Sequence, residues 1–156
     1  MQVESLYQEI ILDHYKRPHG SGLREPFDTE VHHVNPTCGD EITLRVLISG
    51  FGDDAMVDDV SYESQGCSIS QASASVMFDL VAGRSVDESL RAQDEFLHVM
   101  QGRGEAEADE DILGDAIAFE GVAKYPARVK CALLGWMALK DAVAQTVAAR
   151  EEDLES

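Results

Sequence analysis

The chain has 156 residues, 44% of them hydrophobic and 27% charged, which suits one domain with its own core and neither a disordered nor a fibrous protein. Acidic residues outnumber basic ones 30 to 12, and the net charge of -18 repels phosphate backbones, so nucleic acid is not an expected partner. No apolar run approaches the roughly 20 residues that cross a bilayer, and the start MQVESLYQEI resembles no signal peptide; a cytoplasmic protein without membrane contact is expected.

Along the chain, Val3, Leu6, Tyr7, Ile10, Ile11 and His14 are spaced for one face of an amphipathic helix that Pro18, Gly20 and Gly22 end. His14 reads as a packing residue on that face. From Thr29 the period changes to two. Residues 30–34 and the alternation of Ile42, Leu44, Val46 and Ile48 read as two strands, and a third, 57–64, follows the turn Gly50-Phe51-Gly52-Asp53-Asp54. An antiparallel meander of three strands is predicted. Ser68-Ile69-Ser70-Gln71 has the Ser-x-x-Gln form of a capping box, so a helix is expected from there to Gly83. Two shorter helices are predicted over 86–91 and 95–100, and 101–111 reads as a solvated, acidic, Gly-rich loop. A last helix is predicted from Pro126 to about Ala149, with Val129, Leu133, Trp136, Val143 and Val147 inward and residues 150–156 as a frayed acidic tail. The whole, 1–156, is expected to be a single domain of α+β class, a small three-stranded antiparallel sheet with helices packed on it.

Three cysteines in a reduced compartment raise metal or redox chemistry against the plain alternative of small buried hydrophobes. The hairpin decides part of this. If residues 42–49 and 57–64 pair, the start of one strand and the end of the other share a sheet edge, which brings Asp40 beside Cys67. Cys38 falls at the same edge, across Gly39, whose backbone freedom allows a tight turn. Cys67 also precedes a helix start, near the positive end of the helix dipole, a place suited to a reactive or metal-bound sulfur. Cys131 lies near the start of the last helix, on a stripe of small residues continued by Gly135, Ala138 and Ala142; spacing alone does not bring it to the others. Three thiolates and a carboxylate would suit zinc or a two-iron cluster. None of the five histidines is assigned as a ligand: His32 and His33 alternate faces, and His19 and His98 fit no pattern. A cysteine-nucleophile enzyme would need a histidine placed to activate a thiol, and nothing nominates one.

Taken together, Tyr7, Ile11-Leu12-Asp13-His14-Tyr15 with Pro18, Asn35-Pro36, Cys38-Gly39-Asp40, Gly66-Cys67-Ser68-Ile69-Ser70 and Pro126-Ala127-Arg128-Val129-Lys130-Cys131-Ala132 resemble the U-type iron–sulfur cluster assembly proteins, the IscU, SufU and NifU N-terminal family. The resemblance covers nearly the whole chain. It implies that fold, and Cys38, Cys67 and Cys131 match the family's three cysteines while Asp40 matches its aspartate. Lys130 stands where IscU-like proteins have histidine, and roughly residues 102–121 are extra chain; both features resemble SufU. The resemblance therefore implies a zinc-dependent sulfur carrier, a sulfurtransferase-like relay more than a conventional enzyme. It would take a persulfide on Cys38 from a pyridoxal-phosphate-dependent, SufS-like cysteine desulfurase. Zn2+ would be held by Cys38, Asp40, Cys67 and Cys131, downstream SUF-type assembly proteins would receive the sulfur, and the chain would be a monomer or weak homodimer. Arg128 and Lys130 are expected to steady the anionic sulfur or Asp40, unless they are simply an exposed pair. The alternatives are a scaffold that holds iron or a [2Fe–2S] cluster on the same four residues, and a structural zinc module.

Overall fold

The alternation of Ile42, Leu44, Val46 and Ile48 places all four on one face of a strand, and in a computed structural model that describes residues 3–37 and 39–155 each is at most 2% exposed. That strand, β2 (Asp40–Ser49), pairs antiparallel with β1 (Thr29–Asn35) on one side and β3 (Met56–Gln65) on the other. Helix α1 (Val3–Lys16) precedes the sheet and α2 (Ser68–Val81) follows it. A fourth strand, β4 (Arg84–Ser85), pairs with Met56 and Val57, so the order is β1-β2-β3-β4, one strand more than predicted. Two residues are too few to show a period, which is why the pattern missed it. The chain is α+β.

Strand β3 carries an irregularity opposite Leu47 and Ile48, and Val57 and Val60, three apart, are both fully buried. An extra residue in one strand shifts its later side chains to the opposite face, so both valines reach the core.

Residues 86–101 form one helix, α3 (Val86–Gln101), in place of the two short ones predicted. No Gly or Pro interrupts it, Ala92, Gln93 and Phe96 form an unbroken buried face, and the Ser85 hydroxyl caps its start by accepting the Glu88 N–H at 3.0 Å. After the loop come α4 (Glu110–Leu113) and a 3-10 segment (Gly114–Lys124), which together send Leu113, Ala116 and Phe119 into the core.

Helix α5 (Pro126–Glu155) packs against α2, β1, β2 and α3. Its close approach to α2 uses the small-residue stripe: a Cβ on Gly135 would lie 3.4 Å from that of Ala74. It runs past Ala149 because its last turns are anchored. Thr146 Oγ1 lies 2.7 Å from Thr29 Oγ1, and the Arg150 guanidinium donates to the carbonyls of Gly50 and Ile48 and to Asp28. Asp141 and His33 tie α5 to β1 at 2.8 Å. That hydrogen bond, followed by the amide of Gln145, holds the Asp141 carboxyl below its ordinary 3.8. A depressed carboxyl contributes stability that is complete above its unfolded pKa and lost as pH falls through the folded one. Asp141→Asn is therefore expected to cost up to about 1 kcal/mol near pH 6, with the difference from wild type shrinking below about pH 4, as read by urea unfolding at several pH values. Among the described residues no helix is long and apolar enough to cross a membrane.

Candidate metal centre

The register of the sheet determines where the sulfur chemistry lies. Asn35 pairs with Asp40 and Glu41 pairs with Gln65, so the first residue of β2 stands beside Gly66 and Cys67, which lead into α2. Asp40 is fully buried, and its Oδ1 accepts the backbone N–H of Cys67 at 2.9 Å. Its Oδ2 lies 3.9 Å from Cys67 Sγ. Gly66 makes this approach possible. Its φ is +146°, and a Cβ there would fall 2.1 Å from Asp40 Oδ1.

Cys67 is the N-cap of α2, and its side chain makes no cap hydrogen bond. The expected capping box does not form, because Ser68 is already the first helical residue; Gln71 instead sends its amide to the Gly66 carbonyl at 2.9 Å. Cys131, in the second turn of α5, is fully buried, with its thiol 3.6 Å from the Ala127 carbonyl. Ligand-type atoms of Asp40, Cys67 and Cys131 all lie within 4.8 Å of one another. The hairpin thus unites Asp40 with Cys67, and docking of α5 on α2 adds Cys131, which spacing left open. Cys38 lies outside the described residues; its neighbours Thr37 and Gly39 belong to the turn that enters β2, where Gly39 has a φ of +72° and donates its N–H to the Asn35 carbonyl at 3.0 Å.

The donor set fits a metal ion. A buried carboxylate is costly without a compensating charge, yet among the described residues no Lys, Arg or His side chain pairs with Asp40. Two sulfurs and this oxygen, converging from three elements, suit a borderline-soft divalent cation.

Arg128 and Lys130 are exposed, and among the described residues neither makes an ion pair or a side-chain hydrogen bond. Among the described residues neither side chain is hydrogen-bonded or ion-paired to Asp40 or Cys67. Arg128 instead lines a cleft of about 470 Å³ with Tyr7, Ser68, Ile69 and Tyr125, opening directly beside the Cys67 end of α2. Asn35 belongs to the Asn35-Pro36 motif. It is buried, and its Nδ2 has no hydrogen-bond partner among the described residues, an unpaired donor at the same sheet edge.

Similarity to known proteins extends over most of the chain. Residues 6–132 match the model of the NifU-like N terminal domain. The zinc-dependent sulfurtransferase SufU of Bacillus subtilis is 42% identical over 92% of this chain and 92% of its own. The iron–sulfur cluster assembly scaffold protein IscU of Streptococcus pyogenes is 39% identical over 96% of this chain and 89% of its own. The crystal structure of the N-terminal part of a nitrogen-fixing NifU-like protein from Brucella abortus superposes with a TM-score of 0.81 at 26% identity, covering 94% of this chain and 97% of that one.

Proposed function

The chain belongs to the NifU-like N terminal domain family, and on that premise we propose that it serves iron–sulfur cluster assembly as a zinc-dependent acceptor and carrier of sulfur from a cysteine desulfurase. The observation that carries this reading is the buried Asp40 carboxylate, without a basic partner among the described residues and with ligand atoms of Cys67 and Cys131 within 4.8 Å. Asp40, Cys67 and Cys131 would hold zinc, with Cys38 as the fourth ligand in a tetrahedral set. Zinc bound there would keep the thiols in their thiolate form. The similarity to a protein named as a zinc-dependent sulfurtransferase supports this choice of metal.

Cys38 is the proposed acceptor. Its thiolate attacks the outer sulfur of a cysteine persulfide on the desulfurase, a new S–S bond forms on Cys38 as the old one breaks, and the desulfurase cysteine leaves as thiolate. No oxidant or reductant is consumed. The remaining residues position this exchange: Asp40 accepts the Cys67 N–H and so fixes the start of α2, and the cleft beside Cys67, edged by Arg128 and Tyr125, offers room for the incoming segment. The acceptor works in the cytoplasm, with a SufS-like desulfurase as donor and SUF-type assembly proteins as recipients.

A second reading, a scaffold that carries a [2Fe–2S] cluster on the same residues, draws on the similarity to a protein named as an IscU scaffold. One experiment separates the two. In protein purified without oxygen, the carrier reading expects about one zinc per chain, stimulation of cysteine turnover by a desulfurase, and a persulfide that disappears with Cys38→Ala. A stable cluster, with no stimulation by the wild type, would establish the scaffold instead.

A further inference from the structure

A second group of donor atoms, sharing no residue with the first, gathers where α1 docks on α2. His14, near the end of α1, is 5% exposed. Its Nε2 lies 3.2 Å from Asp115 Oδ2 and its Nδ1 lies 2.7 Å from Ser75 Oγ. A carboxylate only accepts, so the Nε2–H donates to Asp115, and in that tautomer the Nδ1 lone pair accepts the Ser75 hydroxyl. His19, three residues past the helix, folds back over α2: its N–H donates to Ser75 Oγ at 2.8 Å, and its Nδ1 lies 2.9 and 2.7 Å from the two oxygens of Asp79. Its backbone is held in place. The Tyr62 hydroxyl donates to the His19 carbonyl at 2.7 Å, and Gly20, at a φ of +79°, passes so near α2 that a Cβ would strike the Phe78 ring at 2.3 Å.

The two imidazoles lie 4.9 Å apart between ring centroids, and one donor atom each from His14, His19 and Asp79 falls within 4.8 Å of the others. A tetrahedral zinc ion with nitrogen ligands at about 2.0–2.1 Å needs ligand separations of roughly 3.4 Å. His19 and Asp79, with side chains 49% and 41% exposed, are the ligands that would rotate to reach that spacing. Two imidazoles and one carboxylate form a nitrogen–oxygen set for zinc, cobalt or nickel, distinct from the thiolate set around Cys67. The Asp115–His14 pair matches the outer-shell carboxylate that orients a metal-bound histidine. None of this was legible in the sequence, where His14 read as a packing residue and His19 fitted no pattern.

We propose that His14, His19 and Asp79 form a second divalent transition-metal site, with His14 oriented by Asp115. The metal would replace the Ser75 hydroxyl at the Nδ1 lone pair of His14 and be shared with His19 and Asp79. Bound there, it ties the segment after α1 to α2.

Cobalt distinguishes this site from the cysteine site, because only the latter gives thiolate-to-metal charge transfer in the near ultraviolet. Titration of Co2+ into the full chain at neutral pH is expected to show two classes, one with that band and one with ligand-field absorption alone. His19→Asn and Asp79→Asn should each remove the second class and leave the first intact. Asp115→Asn should weaken the second class about 10- to 100-fold. All three positions are partly exposed, so the variants are expected to fold. A titration with the thiolate class alone, or a second class that persists in both His19→Asn and Asp79→Asn, overturns the proposal. Loss of the thiolate class alone would count against the Cys67 site and leave this one standing.

Discussion

Gly66→Ala is expected to weaken zinc binding without removing any ligand. Gly66 adopts a φ of +146°, and a Cβ there would lie 2.1 Å from Asp40 Oδ1 and 3.0 Å from Asp40 Cα. Two effects therefore add. The backbone conformation is nearly exclusive to glycine and costs about 1–3 kcal/mol for another residue. The Asp40 carboxylate, fully buried and bonded to the Cys67 N–H, must also give up its position. Supporting groups that orient a metal ligand are typically worth 10- to 100-fold in affinity, and a drop of about that size is expected for Gly66→Ala, read by competition with a chromophoric chelator. Desulfurase stimulation should fall with it. Gly83→Ala is the control: its φ is +80°, but a Cβ there meets nothing within 4 Å among the described residues, so it carries backbone strain away from the site without the collision. If Gly66→Ala lost stability yet kept wild-type zinc affinity, Asp40 would not be a ligand.

The same neighbourhood shows how far the sequence could be read. The placement of Asp40 beside Cys67 follows from pairing the two predicted strands as an antiparallel hairpin, which sets the start of one beside the end of the other, and the pairing of Glu41 with Gln65 realises it. Cys131 is different. Its stripe of Gly135, Ala138 and Ala142 showed that α5 packs closely against something, but only the folded core shows that the something is Ala74 on α2. The His14, His19 and Asp79 group was invisible for the same reason, since Asp79 is 60 residues from His19 and they meet only through docking of α1 on α2. Local errors had local causes: the capping box at Ser68 failed because Cys67 is the cap, and β4 was too short to carry a period. Resemblance reached furthest where topology was silent, at Cys131.

Replacing Trp136 by alanine is expected to have the largest effect on stability, and through stability on the site. Trp136 is fully buried, stacks on Phe96 with ring centroids 4.8 Å apart, and donates its Nε1–H to Ser73 Oγ at 3.1 Å. Ser73 donates in turn to the Ala132 carbonyl at 2.6 Å. Ser73 lies on α2, which begins beside Cys67, and Ala132 follows Cys131 on α5, so this network fastens the two cysteine-bearing helices to each other. Trp136→Ala should cost about 3–5 kcal/mol, against a total stability of about 5–15 kcal/mol for a domain, and part of the population unfolds. Trp136→Phe separates packing from hydrogen bonding: it keeps most of the ring, loses the N–H, and should cost about 0.5–1.5 kcal/mol for the bond itself. Ser73→Ala leaves the indole N–H buried and unpaired, at about 1–3 kcal/mol. Because both changes remove one shared bond, the double variant should lose less than the sum of the singles by at least about 0.5 kcal/mol in urea unfolding. Strict additivity would mean that the Trp136–Ser73 bond does not fasten the helices, and the juxtaposition of Cys67 with Cys131 would then rest on the Ser73–Ala132 hydrogen bond and the small-residue packing at Gly135.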